Sequence, residues 1–158
     1  MNLIEDSLLS GRCMIVNLVV KYFEELTTIE LYEILKSRIE IFVVEQRAAY
    51  QDLDDKDYRS LHIFFEDNER VVGYFRAFFK EDNVVQMGRV FTLYHGKGIG
   101  RKLLEEGIEH IKNKMNPKEI YIDAQSYAVG FYEVVGFKIC SEEFIQDGIP
   151  HISMNLKL

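Results

Sequence analysis

The sequence predicts an α/β (α+β) domain built on a mixed, largely antiparallel twisted sheet, and three observations support this fold class. Residues 84–125 have the pattern strand, glycine-rich turn, helix, strand, which is typical of a βαβ unit with parallel strands. Residues 61–79 have the pattern of a hairpin. Residues 137–158 have the pattern of a final antiparallel pair. The length of 158 residues suits a single domain.

A strand and a helix are predicted before the hairpin. Residues 14–23, MIVNLVVKYF, are rich in β-branched residues and predict the strand. Thr27 and Glu30 have the spacing of a capping box, so the helix is expected to begin there. Apolar residues then recur at helical spacing, at Leu31, Leu35 and Phe42. Arg38 lies on the same stripe, and two interpretations stay open: an arginine at the edge of the core with its head group in water, or one that lines a cleft.

A polar, acidic segment, YQDLDDKDYRS at residues 50–60, interrupts this pattern. It has neither the glycine nor the terminal glutamate that an EF-hand loop places at fixed offsets, so it is predicted to be a solvated acidic loop. Three runs rich in β-branched and aromatic residues follow and predict strands, at residues 61–65, 71–79 and 84–94. The polar turn EDNER joins the first two.

The second half of the chain predicts two helices and three strands. One helix follows the glycine-rich turn, because apolar residues share one helical face at Ile99, Leu103, Leu104, Ile108 and Ile111. Residues 119–125 alternate and predict the second parallel strand. A short helix is predicted at residues 128–135, and Gly136 is placed to end it. Residues 137–145 and 151–158 predict the last two strands, and one face of the latter carries Ile152, Met154, Leu156 and Leu158.

Charge and cysteine content restrict the class of partner. The net charge is −7 and no basic stripe occurs, which argues against nucleic-acid binding and favours a small or cationic partner. Cys13 and Cys140 are the only cysteines, so neither a disulfide framework nor a zinc site is expected. We expect both to be free thiols in a reducing cytosol.

The sequence predicts neither a membrane span nor a signal peptide. No apolar run approaches the ~18–20 residues of a membrane span, and the N-terminus carries acids where a signal peptide carries positive charge. We therefore expect a cytoplasmic protein with no membrane partner and no metal. Residues 1–13 are interpreted as an N-terminal extension of unassigned role, and residues 14–158 as one domain.

Residues 94–102, YHGKGIGRK, combine three glycines with basic side chains. A P-loop needs Lys and then Ser or Thr after the last glycine, whereas Gly100 is followed by Arg101 and Lys102. A dinucleotide fingerprint needs a different glycine spacing. A helix start nevertheless offers unpaired N–H groups and a positive dipole end to an anion. These residues leave two interpretations open: a phosphate-binding turn, or an ordinary glycine-rich turn with a solvated basic face.

The order of these elements and two motifs resemble the GNAT superfamily of acetyl-CoA-dependent N-acetyltransferases. Residues 95–100 fill the family's Arg/Gln-x-x-Gly-x-Gly/Ala turn, with His95 in place of Arg or Gln. The family's later motif, Ala, Phe/Leu-Tyr and Gly-Phe, is matched by Ala128, Phe131, Tyr132, Gly136 and Phe137. Further segments resemble the ElaA-like branch: LYEILKSRIEIFVVEQ, YQDLDDKD, GRV, AQSYAVGFYEVVGF and DGIPHISM. They are spread over most of residues 30–154.

The resemblance implies a GNAT-type sheet whose central parallel βαβ unit is flanked by helices. It also implies acetyl-CoA as co-substrate, with the pantetheine arm between the two splayed parallel strands. The backbone near Val90 would pair with the pantetheine amides, and the amides of residues 96–101 would hold the pyrophosphate. The CoA-binding residues that the resemblance implies are Val90, His95, Gly96, Lys97, Gly98, Ile99, Gly100, Arg101, Lys102, Gln125 and Phe131.

The implied reaction is direct attack of a primary amine, on a small molecule or a peptide, on the thioester in a ternary complex. Tyr132 matches the family's general acid, and its alternative role is that of a core aromatic. His151 is a candidate base or substrate contact, because imidazole groups titrate near neutral pH; the alternative is a solvent-facing histidine. Glu45 and Asp147 are weaker candidates for the base and more typical of surface acids.

Two other functions stay open from the sequence. One is an acyl-CoA-binding or CoA-binding module without turnover, and the other is a nucleotide-binding regulatory domain. Tyr132 argues against a pure binding module, since binding needs no acid at that position. The identity of the acceptor and the oligomeric state stay open, and a homodimer is one option.

Overall fold

The computed structural model describes residues 15–158, so the predicted N-terminal extension and Cys13 lie outside the described residues. The strands are β1 (Asn17–Tyr22), β2 (Leu61–Asp67), β3 (Arg70–Glu81), β4 (Val84–Thr92), β5 (Glu119–Gln125), β6 (Lys138–Ile139), β7 (Phe144–Gln146) and β8 (Ile149–Lys157). The α-helices are α1 (Thr28–Ile39), α2 (Ile99–Met115) and α3 (Val129–Glu133). A π-helical segment, Glu40–Glu45, extends α1, and single 3₁₀ turns lie at Phe23–Glu25, Lys56–Arg59 and Ser126–Ala128.

The described strands form one mixed sheet in the order β1-β2-β3-β4-β5-β8-β6, and β7 also pairs with β8. Among these pairs only β4 and β5 run parallel, and α2 makes the crossover between them. The predicted fold class, a largely antiparallel sheet around a central parallel βαβ unit, is therefore confirmed.

The predicted capping box starts α1. The Thr27 hydroxyl accepts a hydrogen bond from the Glu30 backbone N–H at 3.1 Å, and the Glu30 carboxylate accepts one from the Thr27 N–H at 2.8 Å. Glu30 also pairs with Lys21 Nζ at 2.8 Å, which fixes the start of the helix against β1. The helix continues into the π-helical segment, a geometry that often occurs at functional sites.

The core lies on both faces of the sheet. The predicted apolar face of α2 is buried against one face, with Ile99, Leu103, Leu104, Ile108 and Ile111 at most 4% exposed. Beneath it, Ile120, Ile122 and Ala124 of β5 belong to the same cluster. Ile34 of α1 packs on the opposite face, with Phe64, Val71, Tyr74 and Phe91. Because β-strand side chains alternate, Asp123 and Gln125 of β5 face the α1 side.

The strand predicted at residues 137–145 is wrong as a single element, because the structure contains two short strands there. Both β6 and β7 pair with β8. Between them, the Ser141 hydroxyl accepts a hydrogen bond from the Ser153 backbone N–H at 2.8 Å. A side chain thus takes the place of a backbone carbonyl in the ladder, and the strand is interrupted.

Candidate active site

The two parallel strands separate halfway along their length. Backbone pairing between β4 and β5 ends at Met87 and Ile122, although both strands continue beyond these residues. The next residues of β4 include Arg89, which has a φ of 55°, and the β3–β4 register shifts beside it. Such a register shift with a left-handed residue is a β-bulge, which bends the strand. A gap therefore opens between β4 and β5 after Met87.

A cavity of about 610 Å³ lies at this gap. Its volume is in the range of small-molecule sites, roughly 300–1,000 Å³. The cavity extends from the start of α2 to the π-helical segment and the β7–β8 turn. It is lined by these residues from the sequence prediction: Val90, His95, Gly96, Gly98, Ile99, Gly100, Arg101, Gln125, Phe131, Tyr132 and His151. The structure therefore brings nine of the eleven predicted CoA-binding residues and both predicted catalytic residues to one cavity.

One end of the cavity is the N-terminus of α2. Gly98 precedes the helix with a φ of 73° and supplies no side-chain cap, so the N–H groups of the first turn are free of intrahelical partners. That turn contains no acidic residue, and Arg101 and Lys102 lie in it. Basic side chains there oppose the helix dipole. The free N–H groups and the basic side chains suit a bound anion.

Two predicted CoA-binding lysines do not line the cavity. Lys97 and Lys102 are exposed. Lys102 Nζ lies 5.8 Å from the centroid of the Phe65 ring and 3.7 Å from Glu106 Oε1. Ile99 is 3% exposed, so its side chain belongs to the core and only its backbone N–H is available to a ligand.

Gly100 has a packing role besides its place in the turn. A Cβ built on Gly100 would lie 3.0 Å from the ring of Phe131, closer than an ordinary contact. The first turn of α2 and the start of α3 thus approach each other because position 100 carries no side chain. The surroundings of Gly98 are different, since a Cβ there would meet no atom within 4 Å.

Tyr132 lies in the wall of the cavity and is 6% exposed. Its ring packs edge-to-face on Phe131 and Phe137, with centroid distances of 5.2 and 5.9 Å. Burial, with a smaller contribution from Tyr127, raises the pKa of the Tyr132 phenol above its usual range. The phenol therefore keeps its proton across the physiological pH range, as a general acid must.

His151 lies at the other end of the cavity, on β8, and is 9% exposed, which excludes the solvent-facing alternative. Its Nδ1 lies 2.7 Å from the backbone carbonyl of Ile149, and its ring stacks on Phe144. A carbonyl only accepts hydrogen bonds, so Nδ1 carries the proton of the neutral ring. Within residues 15–158 no group hydrogen-bonds to Nε2. Nε2 therefore has a free lone pair that can take a proton.

Gln125 is held by Gln46 of the opposite wall. The two side-chain amides exchange two hydrogen bonds, each 3.1 Å long. Gln46 directly follows the π-helical segment, and Gln125 ends β5, so the pair joins the α1 side to the open end of the gap. The sequence places Gln125 among CoA-binding residues, and its side chain is engaged with another protein group.

The prediction of a solvated acidic loop at residues 50–60 is wrong for two of its aspartates, although most of the segment is exposed. Asp52 and Asp57 are 3% and 7% exposed. Their partners are arginines of α1, β3 and β4, in contacts of 2.6–3.0 Å: Arg38 with Asp52 and Asp57, Arg76 with Asp54 and Asp57, and Arg89 with Asp52. Three guanidinium groups balance three carboxylates, so the charges are paired in a region withdrawn from water.

Both interpretations of Arg38 are wrong, since its side chain is fully buried and does not line the cavity. Arg89 is the member of this ion network that reaches the cavity wall. Its guanidinium lies 5.4 Å from the centroid of the Tyr50 ring, and Tyr50 donates to Asp52 at 2.8 Å. Arg89 lies in the GRV segment, but its ion-pair role was not predicted, because its partners stand 35 and 37 positions away.

Comparison with known proteins identifies the family to which this chain belongs. Residues 30–158 match the family model described as an acetyltransferase (GNAT) domain. This chain belongs to the GNAT acetyltransferase family. The match covers most of the chain and includes the gap, the turn and Tyr132. The resemblance to the GNAT superfamily is therefore confirmed, and the protein is a GNAT-type N-acetyltransferase.

Relatives place the chain in the ElaA-like branch of the GNAT family. A UPF0039 protein of Schizosaccharomyces pombe is 37% identical over 144 residues, covering 89% of this chain and 96% of that protein. The ElaA protein of Escherichia coli K12 is 34% identical over 139 residues, covering 84% and 91%.

Solved structures show the same fold. The crystal structure of Escherichia coli ElaA has a TM-score of 0.83 and 31% identity, covering 88% of this chain and 98% of that chain. An acyl-CoA N-acyltransferase from Pseudomonas aeruginosa has a TM-score of 0.81 and 29% identity, with the same coverage of 88% and 98%. Within residues 15–158 of this GNAT protein, no helix combines the length and hydrophobicity of a membrane-spanning helix.

Proposed function

We propose that this protein transfers the acetyl group of acetyl-CoA to a primary amine by direct attack in a ternary complex. One observation carries the proposal: a single cavity joins an uncapped helix N-terminus, a divergent pair of parallel strands, a protonated buried phenol and a histidine with a free nitrogen. These are the groups that acyl transfer to an amine requires. The description of the Pseudomonas aeruginosa neighbour as an acyl-CoA N-acyltransferase supports the use of an acyl-CoA.

The turn at residues 96–101 would bind the pyrophosphate of CoA through backbone N–H groups. Gly96 and Gly98 have φ values of 70° and 73°, a left-handed conformation that favours glycine. The absence of side chains at these positions lets a phosphate approach the backbone. Arg101 adds a positive charge at the same end of the cavity. The diverging half of β4, near Val90, has no β5 partner and would offer its backbone to the amides of the pantetheine arm.

His151 and Tyr132 would divide the proton transfers. An alkylammonium acceptor must lose a proton before its nitrogen can attack, and Nε2 of His151 is free to take it. A carbon–nitrogen bond then forms at the thioester carbonyl, the nitrogen of the tetrahedral adduct loses its second proton to solvent, and the carbon–sulfur bond breaks. Tyr132 donates its proton to the leaving sulfur, so the products are an acetamide and free CoA thiol. Exchange with solvent returns both side chains to their starting states.

A panel of primary amines tests the proposal, with release of CoA thiol from acetyl-CoA as the readout. We expect at least one amine to raise thiol release well above hydrolysis and to appear as its acetamide in mass spectrometry. Tight acetyl-CoA binding without transfer to any amine would favour a binding module. Displacement of acetyl-CoA by ATP in a thermal-shift assay would favour a nucleotide-binding regulatory domain.

A further inference from the structure

Asp123 lies where the parallel strands separate. It is the first residue of β5 after the last β4–β5 pair, Met87 with Ile122. Its neighbours Ile122 and Ala124 are buried in the core under α2, so Asp123 faces the α1 side of the sheet. It also lines the cavity. The carboxylate is therefore placed on the face where Gln46 and His151 form the cavity wall.

The carboxylate of Asp123 is held from one side only. The Tyr121 hydroxyl donates to Oδ1 at 2.6 Å, and the Ser153 hydroxyl donates to the same oxygen at 2.7 Å. Burial, and then the hydrogen bond to Asp123, raise the pKa of the Tyr121 phenol, which keeps this donor protonated. Within residues 15–158, Oδ2 receives no hydrogen bond and Asp123 forms no ion pair. An oriented carboxylate with one free oxygen is therefore available to a ligand.

The charges around Asp123 favour a cation. The other carboxylates of the cavity wall, Glu45 and Asp147, form no ion pair within the described part of the chain. Arg89 is already paired with Asp52 and Asp54. Lys80 lies with Nζ 3.5 Å from the centroid of the Tyr121 ring and makes no ion pair with Asp123. The positive charge that lines the phosphate end belongs to Arg101.

His151 supplies a second, independent indication of a ligand at this end. It is nine-tenths buried and lines the cavity, and its Nε2 makes no hydrogen bond within residues 15–158. Asp123 pairs with Ser153 and Gln125 with His151 across the β5–β8 ladder, so Asp123 and His151 are diagonal neighbours on one face. Diagonal neighbours lie about 7–8 Å apart. A short alkyl chain spans such a distance.

We infer that the acceptor is a small aliphatic diamine. One of its amines reacts, and Asp123 binds the other as a charged ammonium group. This inference rests on the proposed function. A carboxylate that touches an ammonium group favours its charged form, which would hinder the amine that must attack. Asp123 is therefore suited to an ammonium group that stays charged, while the second amine of the same molecule lies near His151 and loses its proton there.

Binding to the CoA-saturated protein tests this inference without any turnover. The probes are 1,4-diaminobutane and 1-butylamine, compared by titration calorimetry. We expect the diamine to bind at least tenfold more tightly, and Asp123→Asn to reduce this preference to less than threefold. The asparagine oxygen can still accept from Tyr121 and Ser153, so the fold and CoA affinity should be unchanged. The matched control is Asp82→Asn, the same change at an exposed turn residue outside the cavity, which should keep the preference.

Two outcomes would overturn the inference. One is a wild-type protein that binds both probes equally, and the other is an Asp123→Asn variant that keeps the diamine preference. Acetyl transfer to amines without any diamine preference would overturn this inference and leave the proposed function in place. Diamine binding that depends on Asp123, without transfer from acetyl-CoA, would support the inference and overturn the proposed function.

Discussion

Asp52 connects α1 to the bulge of β4 through Arg89. Arg89 Nε lies 2.9 Å from Asp52 Oδ1, and Arg89 Nη2 donates to the Asp52 backbone carbonyl at 2.9 Å. The other oxygen of the same carboxylate, Oδ2, lies 3.0 Å from Arg38 Nε. One buried carboxylate therefore holds the bulge that opens the gap between β4 and β5, and the ion network is a part of the site's support.

Removal of this carboxylate should be costly. Asp52→Ala removes a carboxylate that both Arg38 and Arg89 contact and leaves them only Asp57 and the more distant Asp54. Breaking a buried ion pair typically costs ~3–5 kcal/mol. We expect the free energy of unfolding in urea to fall by an amount of that order, and acetyl-CoA affinity to fall because Arg89 loses its anchor. The control is Glu109→Ala, which breaks the exposed Glu109–Lys112 pair and should cost about 0.5 kcal/mol or less. Equal losses in the two variants would contradict the role of Asp52.

Acetyl-CoA affinity should depend on Gly98. The residue has a φ of 73°, and a branched side chain would be strained there and would approach the bound phosphate. For Gly98→Val we expect the acetyl-CoA dissociation constant to rise more than tenfold, a loss above ~1.4 kcal/mol. Gly130→Val is the control, since a Cβ at Gly130 meets nothing within 4 Å. A folded Gly98→Val protein with unchanged calorimetric affinity would rule out the phosphate-binding role of the turn.

Replacement of Tyr132 by phenylalanine should separate catalysis from packing. The ring contacts with Phe131 and Phe137 survive in Tyr132→Phe, while the proton donor is lost. General acid catalysis typically contributes ~10²–10⁴-fold, and a thiolate leaves readily, so we expect kcat to fall roughly 10²-fold with KM for acetyl-CoA within about threefold. Steady-state kinetics on an amine from the panel measures this. Full activity would leave Tyr132 a packing residue.

The pH profile gives a second test of Tyr132. Burial raises the pKa of this phenol above its usual range, so its acidic form persists to higher pH than that of a free tyrosine, ~10. Wild-type kcat should therefore show no alkaline limb from Tyr132 at or below pH ~10. If the wild type loses activity between neutral pH and that value and Tyr132→Phe does not, the phenol titrates in its usual range and the argument from burial fails.

Loss of the His151 imidazole should slow acetyl transfer. Nε2 of His151 has no hydrogen-bond partner within residues 15–158 and is the proposed acceptor of the amine proton. His151→Gln should therefore lower kcat/KM by ~10²-fold or more. His110→Gln is the matched control, because His110 lies on α2 outside the cavity. A His151→Gln enzyme with the wild-type kcat/KM would assign the proton transfer to another group or to water.

Acid should weaken the ion network through Asp54. Burial alone would raise the pKa of this carboxyl, but hydrogen bonds and charge from Arg76, and the charge of Arg89, lower it to about 2. The folded state therefore binds the proton less readily than the unfolded state, so the contribution of Asp54 to stability is complete above pH ~4 and is lost as pH falls toward 2. Urea unfolding between pH 5 and 2.5 measures it, and Asp54→Asn should show a shallower decline. Parallel curves for the two proteins would exclude Asp54 as a source of acid sensitivity.

Structural features that depend only on residues close together in the sequence were predictable from it. The α1 capping box, the apolar face of α2, the left-handed Gly136 in the turn after α3 and the hairpin of β2 and β3 all follow from local spacing and backbone preference. The glycine turn and the Phe131-Tyr132 motif also lie within short segments, so a resemblance to the GNAT family could be recognised from them. That family and fold are confirmed, while the individual roles of the site residues stay predictions.

The sequence by itself determined the order of the elements, the phosphate-binding character of the turn as a hypothesis, and the family. Only the tertiary structure decided that Asp52 and Asp57 of the acidic segment are buried, that Arg89 lies at a bulge, and that one oxygen of Asp123 is free. The physical reason is that a carboxylate is stable out of water only beside a partner, and the sequence does not state which arginine the fold brings near. The partners of Asp52 stand 14 and 37 positions away on α1 and β4, and folding of the sheet is what places them together.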